Sequence, residues 1–328
     1  LGAALPESYG GAGLGMGGAC SVLIEQGFHL APVPVWTATV AALTLAEFGS
    51  AEQRARYLAA MVDGRSRITV ALEEFGGHDV EHPKCAARTD SGRWLLSGTK
   101  AVVPAFAGAE RIILSATTDS GPGLFLVDPR AAGARWESVE TTARDGSGTL
   151  VLDEVPASAI GADRPSALEW VLQRARVSVA ALQLGVAEAA LERSAEYVCT
   201  REQFGRPLGT FQAVQHQLAD NYMGIDAMRV CLWRAVAACD SDEHDVTPSR
   251  IAAWWAGDQS VKVVDTAVHV HGGVGVDTES PVHRYYLWGH HLAGVLGGGR
   301  AELSRLGAAL AAGSPNRQAD RTDRWRTE

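Results

Sequence analysis

The chain has 328 residues, 46% of them hydrophobic and 20% charged, with a net charge of -9. That much apolar material supports an ample core, and the length suggests about two domains. The negative balance argues against extensive phosphate-backbone contact, so nucleic acid is excluded as a partner. No run of 18 apolar residues spans a bilayer, and no basic-then-apolar leader opens the chain at Leu1. Five scattered cysteines without a CxxC pair fit reduced thiols in a cytoplasm.

From Ala19 to Asp63 apolar residues recur at helical spacing, and Ser50 three residues ahead of Gln53 is a capping-box signal. Gly13, Gly15 and Gly18 spell GxGxxG, but Leu5 to Tyr9 is no strand, so the glycines read as a plain loop. Between Arg67 and Pro156 the pattern shifts to short β-rich runs: Ile68 to Leu72, Trp94 to Leu96, Arg111 to Ser115, Leu124 to Val127 and Leu150 to Val155. Asp90-Ser91-Gly92, Ser120 to Gly123 and Asp145 to Gly148 punctuate them as turns. Helical spacing returns after a linker at 161–165, over roughly 166–199, 210–239, 248–271 and 285–312, with Thr247-Pro248 as a helix start. Four such helices with short joins predict an antiparallel bundle. The run Asp240 to Glu243 reads as a solvated loop, and Ser314 to Glu328 as a frayed tail. The domains expected are therefore 1–66, 67–160 and 161–313, with a tail over 314–328. His269 with His271 and His290 with His291 lack the spacing and companions of a metal site.

Two segments carry more information: Arg201-Glu202-Gln203-Phe204-Gly205-Arg206-Pro207-Leu208-Gly209-Thr210-Phe211-Gln212 and His269-Val270-His271-Gly272-Gly273-Val274-Gly275. Together with Leu5-Pro6-Glu7-Ser8-Tyr9-Gly10-Gly11 they resemble the RxxFGxxLxxFQ, QxxGGxG and LPExYGG segments of the acyl-CoA dehydrogenase family, in order and spacing. The likeness spans almost the whole chain and starts a few helices inside the family's usual beginning, which implies a leading piece beyond Leu1. It implies an α+β multidomain fold: a helical N-terminal domain, a middle β-barrel domain and a C-terminal four-helix bundle, the bundles packing into a tetramer. It also implies FAD, an acyl-CoA substrate, an electron-transfer acceptor and α,β-desaturation, in which a Glu takes the α proton as the β hydrogen leaves as hydride.

By the same resemblance, both segments reach the FAD of a neighbouring subunit. Arg201 would offer a permanently charged fork to the pyrophosphate, Phe204 would pack on the flavin or adenine end, and Gly272 and Gly273 would admit the phosphates closely. Gly205, Leu208, Gln212 and His269 complete the expected cofactor-binding set.

Departures from the family lie elsewhere. Where most relatives carry a catalytic Glu this chain has Leu296-Gly297-Gly298-Gly299, and the alternative position is Ala175, beside Arg176. In the middle domain, Leu72 and His78 fall where relatives have a Thr and a Ser for their own flavin, and Val102 and Pro104 where they have a Trp and a Thr. Leu has no hydroxyl and Pro no N–H, so two flavin hydrogen bonds are lost. A flavin clamp offered to a neighbour remains while the chain's own flavin contacts and base are absent. The resemblance is therefore to the non-catalytic member of an unequal pair that dehydrogenates steroid side-chain acyl-CoA thioesters, partnered in a heterotetramer by a homologous catalytic subunit. Two alternatives stand beside it: a self-sufficient enzyme with a displaced base at Glu73, Glu279 or Glu302, and a non-enzymatic scaffold.

Overall fold

The computed structural model describes residues 2–76, 79–162, 164–241 and 245–312. His78 and the 314–328 tail fall outside them. Three helices come first: α1 (Gly15–His29), α2 (Val35–Phe48) and α3 (Ala51–Val62). The start of α3 is set locally, because Ser50 Oγ accepts from Gln53 N while Gln53 Oε1 accepts from Ser50 N, a closed capping box. Of the glycines expected in a plain loop, Gly13 lies in one, whereas Gly15 and Gly18 are helical. Gly15 to Gly18 form the first turn of α1, and Asp240, far along the chain, caps it by accepting from Met16 N at 2.8 Å and Gly17 N at 3.2 Å. Asp240 is thus an anchor at a positive helix end and not part of a solvated loop.

Seven strands follow: β1 (Ile68–Ala71), β2 (Ala86–Asp90), β3 (Arg93–Val103), β4 (Arg111–Thr118), β5 (Gly121–Val127), β6 (Ala134–Ser138) and β7 (Gly148–Ile160). β4 pairs with β5, β5 with β7, β7 with β3, β3 with β2, and β2 returns to β4 through Ala86 and Thr117, which closes a barrel; β1 and β6 attach to its sides. Closure removes exposed sheet edges. Leu96, Ile112, Leu114, Phe125, Val127, Leu150 and Val155 fill the interior. Lys100 lies among them, fully buried; its Nζ donates to Glu74 Oε1 at 2.7 Å and Ser115 Oγ at 3.1 Å. Burial raises the Glu74 carboxyl, but the bonds from Lys100 and from the Cys85 and Lys84 amides outweigh it and hold the group below its usual range.

The helical second half contains α4 (Ala167–Thr200), a short hairpin of β8 (Glu202–Gln203) and β9 (Arg206–Pro207), α5 (Gln212–Asp240), α6 (Thr247–His271), α7 (Val282–Gly294) and α8 (Gly298–Ala312). Thr247-Pro248 does open α6. The single helix expected over 285–312 is two: Val295–Gly297 form a tight turn with Leu296 at φ +59°, and the chain changes direction there. α4 is the central helix, buried on nearly every side through Ala190 and packed on α1, α5, α6 and α7. Its crossing with α1 requires glycine on both sides: a Cβ at Gly27 would stand 2.1 Å from Leu182 O, and one at Gly185 1.9 Å from Ile24 O. No described helix is long and apolar enough to cross a membrane.

Candidate functional site

Two regions hold the residues singled out in the sequence. The first is the tip of the bundle where α4, α6 and the β8–β9 hairpin meet. Tyr197 near the end of α4 stacks on His271 at the end of α6, ring centroids 4.1 Å apart and planes 21° apart. His271 Nδ1 bonds to Ala267 O at 2.7 Å, and burial holds its pKa below the usual imidazole value despite that bond. This neutral stack ties together the two segments that sequence separates by some sixty residues, with Arg201 following one helix and Gly272 the other.

At this tip Arg201 is exposed, and Leu208 N donates to its carbonyl at 2.9 Å, which folds the hairpin back. Phe204 is 91% exposed at φ +56°, touched edge-on by Phe211, whose ring also lies under the Arg206 guanidinium at 4.1 Å. An exposed aromatic held in the left-handed region is strained. Gly205, Gly272 and Gly273 face open space, with nothing within 4 Å of an added Cβ. Gln212 and His269 are exposed and Leu208 is half-buried. Of the eight residues, seven are exposed and Leu208 is half-buried.

The second region is the cleft between the barrel and α4, α7 and α8. It is closed by charge and by backbone. The loop after β1 sends Asp79 and Glu81 into the bundle, where Asp79 accepts from Arg305 Nε at 2.9 Å and Glu81 Oε1 accepts from Arg176 Nη2 at 2.6 Å and Arg250 Nη2 at 2.8 Å. Glu302, 2% exposed, lies between Arg305 and Arg176. Its Oε2 stands 3.0 Å from Arg176 Nε, close enough for an ion pair but off-angle for a hydrogen bond. Four elements, α4, α6, α8 and the loop, are riveted by this chain of alternating charges. Arg176 in the middle of an apolar run was the one local hint of it; the remainder comes from residues far apart in sequence.

Backbone completes the closure. Gly298 has φ +74°, and a Cβ on it would lie 2.5 Å from Ala293 O. Gly299 approaches α6 so closely that a Cβ on Gly257 would lie 2.9 Å from Gly299 N. Between Leu296, Gly298, Gly299, Arg176 and Glu302 a void of only about 10 Å³ remains, too small for more than one water. Of the run Leu296 to Gly299, where the family's base is expected, Gly298 is thus the position at which a side chain would strike backbone. Leu72 is buried in the core, Pro104 O accepts from Thr69 Oγ1 at 2.6 Å, and Val102 sits at φ +43° in an irregularity of the β3–β7 pairing.

Of the three acids considered as displaced bases, Glu279 is exposed and Glu302 is locked between two arginines. Glu73 is half-buried; its dehydrated setting raises its pKa, against bonding by the Leu296 amide and the nearby His291 and Arg305. It lines none of the three cavities described here.

The family resemblance can be judged against this geometry. Models of the acyl-CoA dehydrogenase N-terminal and C-terminal domains match residues 1–65 and 166–309. Acyl-CoA dehydrogenase FadE27 of Mycobacterium tuberculosis is 39% identical over 324 residues, 95% of this chain and 85% of that protein. The chain belongs to the acyl-CoA dehydrogenase family. Its members are FAD-dependent flavoproteins. Among solved structures, the steroid acyl-CoA dehydrogenase Tcur3481-Tcur3483 superposes with a TM-score of 0.92 at 56% identity, covering 95% of this chain and 85% of that one. The ChsE4-ChsE5 complex from Mycobacterium tuberculosis gives 0.89 at 36% identity, covering 96% and 85%. Both of these acyl-CoA dehydrogenase neighbours are complexes of two different chains.

The two regions fit FAD unequally. The bundle tip offers an unpartnered guanidinium, an exposed ring and open glycines, a set suited to a pyrophosphate and a flat ring system approaching from outside. In the cleft, Leu72 and Pro104 offer a flavin no side-chain hydroxyl or backbone N–H, respectively, and its α8 end is filled by ion pairs and backbone, a poorer fit to the same group.

Proposed function

We propose that this chain is the non-catalytic partner subunit of a heteromeric, FAD-dependent acyl-CoA dehydrogenase acting on a steroid side-chain thioester. In this reading it lends Arg201, Phe204, Gly205, Leu208, Gln212, His269, Gly272 and Gly273 to the flavin of a homologous catalytic subunit in a cytoplasmic heterotetramer. The observation that carries the reading is the run Leu296 to Gly299, where relatives place the base: it holds no acid, and at Gly298, φ +74°, an added Cβ would lie 2.5 Å from Ala293 O. A carboxylate there would demand a different backbone path, not a different side chain. The boundaries 1–66, 67–160 and 161–313 serve as the working domain division, with helical, barrel and bundle units in that order.

When bound, FAD supplies the hydride acceptor. This chain's part is to hold and orient. The Arg201 fork would neutralise pyrophosphate charge, the exposed Phe204 ring would cover a ring face against water, and the amides around Gly272 and Gly273 would donate to phosphate oxygens without a Cβ intervening. The sister subunit would contribute the acid that removes the α proton and pass electrons to an external acceptor.

Purification of the chain alone and together with its sister subunit tests the proposal. Flavin and thioester oxidation only in the mixture, with one flavin for each pair of chains, is the expected result. Full flavin occupancy and turnover by the chain alone would overturn it.

A self-sufficient enzyme is the competing reading only through Glu73, whose carboxyl burial raises above its ordinary value, the direction a proton acceptor needs. Glu73→Gln should leave activity of the assembled complex intact; loss of turnover with flavin retained would favour that competitor. A scaffold without cofactor would keep its partner and lose no flavin on Arg201→Ala.

A further inference from the structure

One part of the cleft is not filled. A chamber of about 60 Å³ lies between Val33, Trp36, Pro104, Leu182, Trp288 and Leu292, with Gln26, Asp145 and His291 also in its wall. That is room for about four waters. It shares Pro32, Ala143 and Trp288 with a wider cavity of about 590 Å³ that Arg144, His283 and Arg284 also line. Inner chamber and outer vestibule therefore adjoin at these residues, the inner one largely apolar and the outer one with a cationic mouth.

Two atoms along these cavities are unsatisfied in ways that specify a ligand. Gln26 is 7% exposed, and its Nε2 donates to Ala31 O at 3.1 Å and Val33 O at 2.6 Å. Those two carbonyls fix the amide orientation, since a flip would set oxygen against oxygen. Oε1 is then left buried with no donor. A buried acceptor without a partner carries a desolvation penalty that a hydroxyl or N–H from a bound molecule would remove. At the other end, neither Arg144 nor Arg284 forms an ion pair among the described residues, although the chain is acidic overall. Two uncompensated guanidiniums at one mouth call for an anion. Asp145 does not cancel them. Burial raises its carboxyl, but bonds from His291, Ser147 and Thr141 prevail and hold it at about 2, so its charge is spent on the inner wall.

We propose that the cleft of this chain is a ligand site without chemistry, which takes a free carboxylic acid with an apolar body and a distal hydroxyl. The carboxylate sits between Arg144 and Arg284, the body passes Trp288, and the hydroxyl donates to Gln26 Oε1. The site is independent of flavin lent at the bundle tip, so either idea can fail without the other.

Calorimetric titration of the full chain, alone and in the assembled complex, with 10-hydroxydecanoate and with decanoate tests it. The hydroxylated acid should bind about tenfold more tightly, the usual worth of one hydrogen bond to a buried acceptor. Gln26→Leu should erase that difference, and Arg284→Ala should weaken both acids alike. Equal affinity for the two acids, binding of neither, or a preference that survives Gln26→Leu would overturn the proposal. Because the comparison of the two acids needs no variant, it decides the matter even where Gln26→Leu does not fold.

Discussion

The bundle tip and the interdomain cleft are built from the same helices yet are opposite in character. At the tip, Arg201 and Phe204 stand uncovered and Gly272 and Gly273 face open space. In the cleft, Arg176 and Glu302 are almost wholly buried, and Gly298 and Gly299 serve to bring backbones together. Glycine thus does contrary work in the two places: it leaves room for another molecule in one and eliminates room in the other. Ionic groups follow the same division, with Arg201 offered outward at the tip and Arg176, Arg250 and Arg305 paired with acids at the α8 end of the cleft.

The contrast can be broken most forcefully from the sealed side. Glu302→Ala removes the buried carboxylate between Arg176 and Arg305 and leaves each guanidinium with one acid, Glu81 and Asp79, which should cost about 3 kcal/mol. Thermal unfolding should register it as a fall of roughly 10 °C; an unchanged midpoint would mean that the network does not hold the cleft. Gly298→Glu comes next, forcing a side chain into a left-handed position against Ala293 O at about 3 kcal/mol. It should destabilise the chain without conferring thioester oxidation, and any gain of turnover would contradict the argument from backbone geometry. On the open side, Arg201→Ala should leave the isolated chain's stability within about 0.5 kcal/mol. In the complex it should weaken flavin retention by about 10- to 100-fold, as loss of a charge-assisted hydrogen bond does. Equilibrium dialysis of flavin distinguishes that outcome from a purely structural role.

A smaller effect concerns acid. Asp145 lies near pKa 2 in the folded chain against 3.8 for an unperturbed carboxyl. Its stabilisation is complete above about pH 4 and is lost as pH falls through about 2, amounting to about 2 kcal/mol. Comparing acid unfolding of the chain with Asp145→Asn checks this: the two curves should converge toward pH 2 and separate above pH 4.

Elements marked by local chemistry were legible before any fold was known. Ser50 with Gln53 and Thr247 with Pro248 announce helix starts because the groups that satisfy each helix end are adjacent in sequence. The barrel strands β4, β5 and β7 show as apolar runs. β2 and β6 did not, since Ala86–Asp90 and Ala134–Ser138 are mostly exposed and owe their extended form to pairing with β3 and β7. The break at Val295–Gly297 escaped notice because helical spacing resumes in register beyond it. Within the candidate site, Arg201, Phe204 and the Gly272-Gly273 pair belong to contiguous motifs and were visible. Gln26, Asp145 and His291, and the ion network of Asp79, Glu81, Arg176, Arg250, Glu302 and Arg305, were not, because each is assembled from distant parts of the chain.

What the sequence alone determined is the succession of helical, β and helical segments, the family, and the acid-free run Leu296 to Gly299, since periodicity, capping chemistry and motif spacing are properties of neighbouring residues. Only the tertiary structure decided that the glycines near Leu296 are compelled by close backbone contact, that six charged side chains seal the cleft, and that the amide of Gln26 is left with a free acceptor. Those outcomes depend on distances through space, which the order of residues along the chain does not specify until the helices and the barrel have packed.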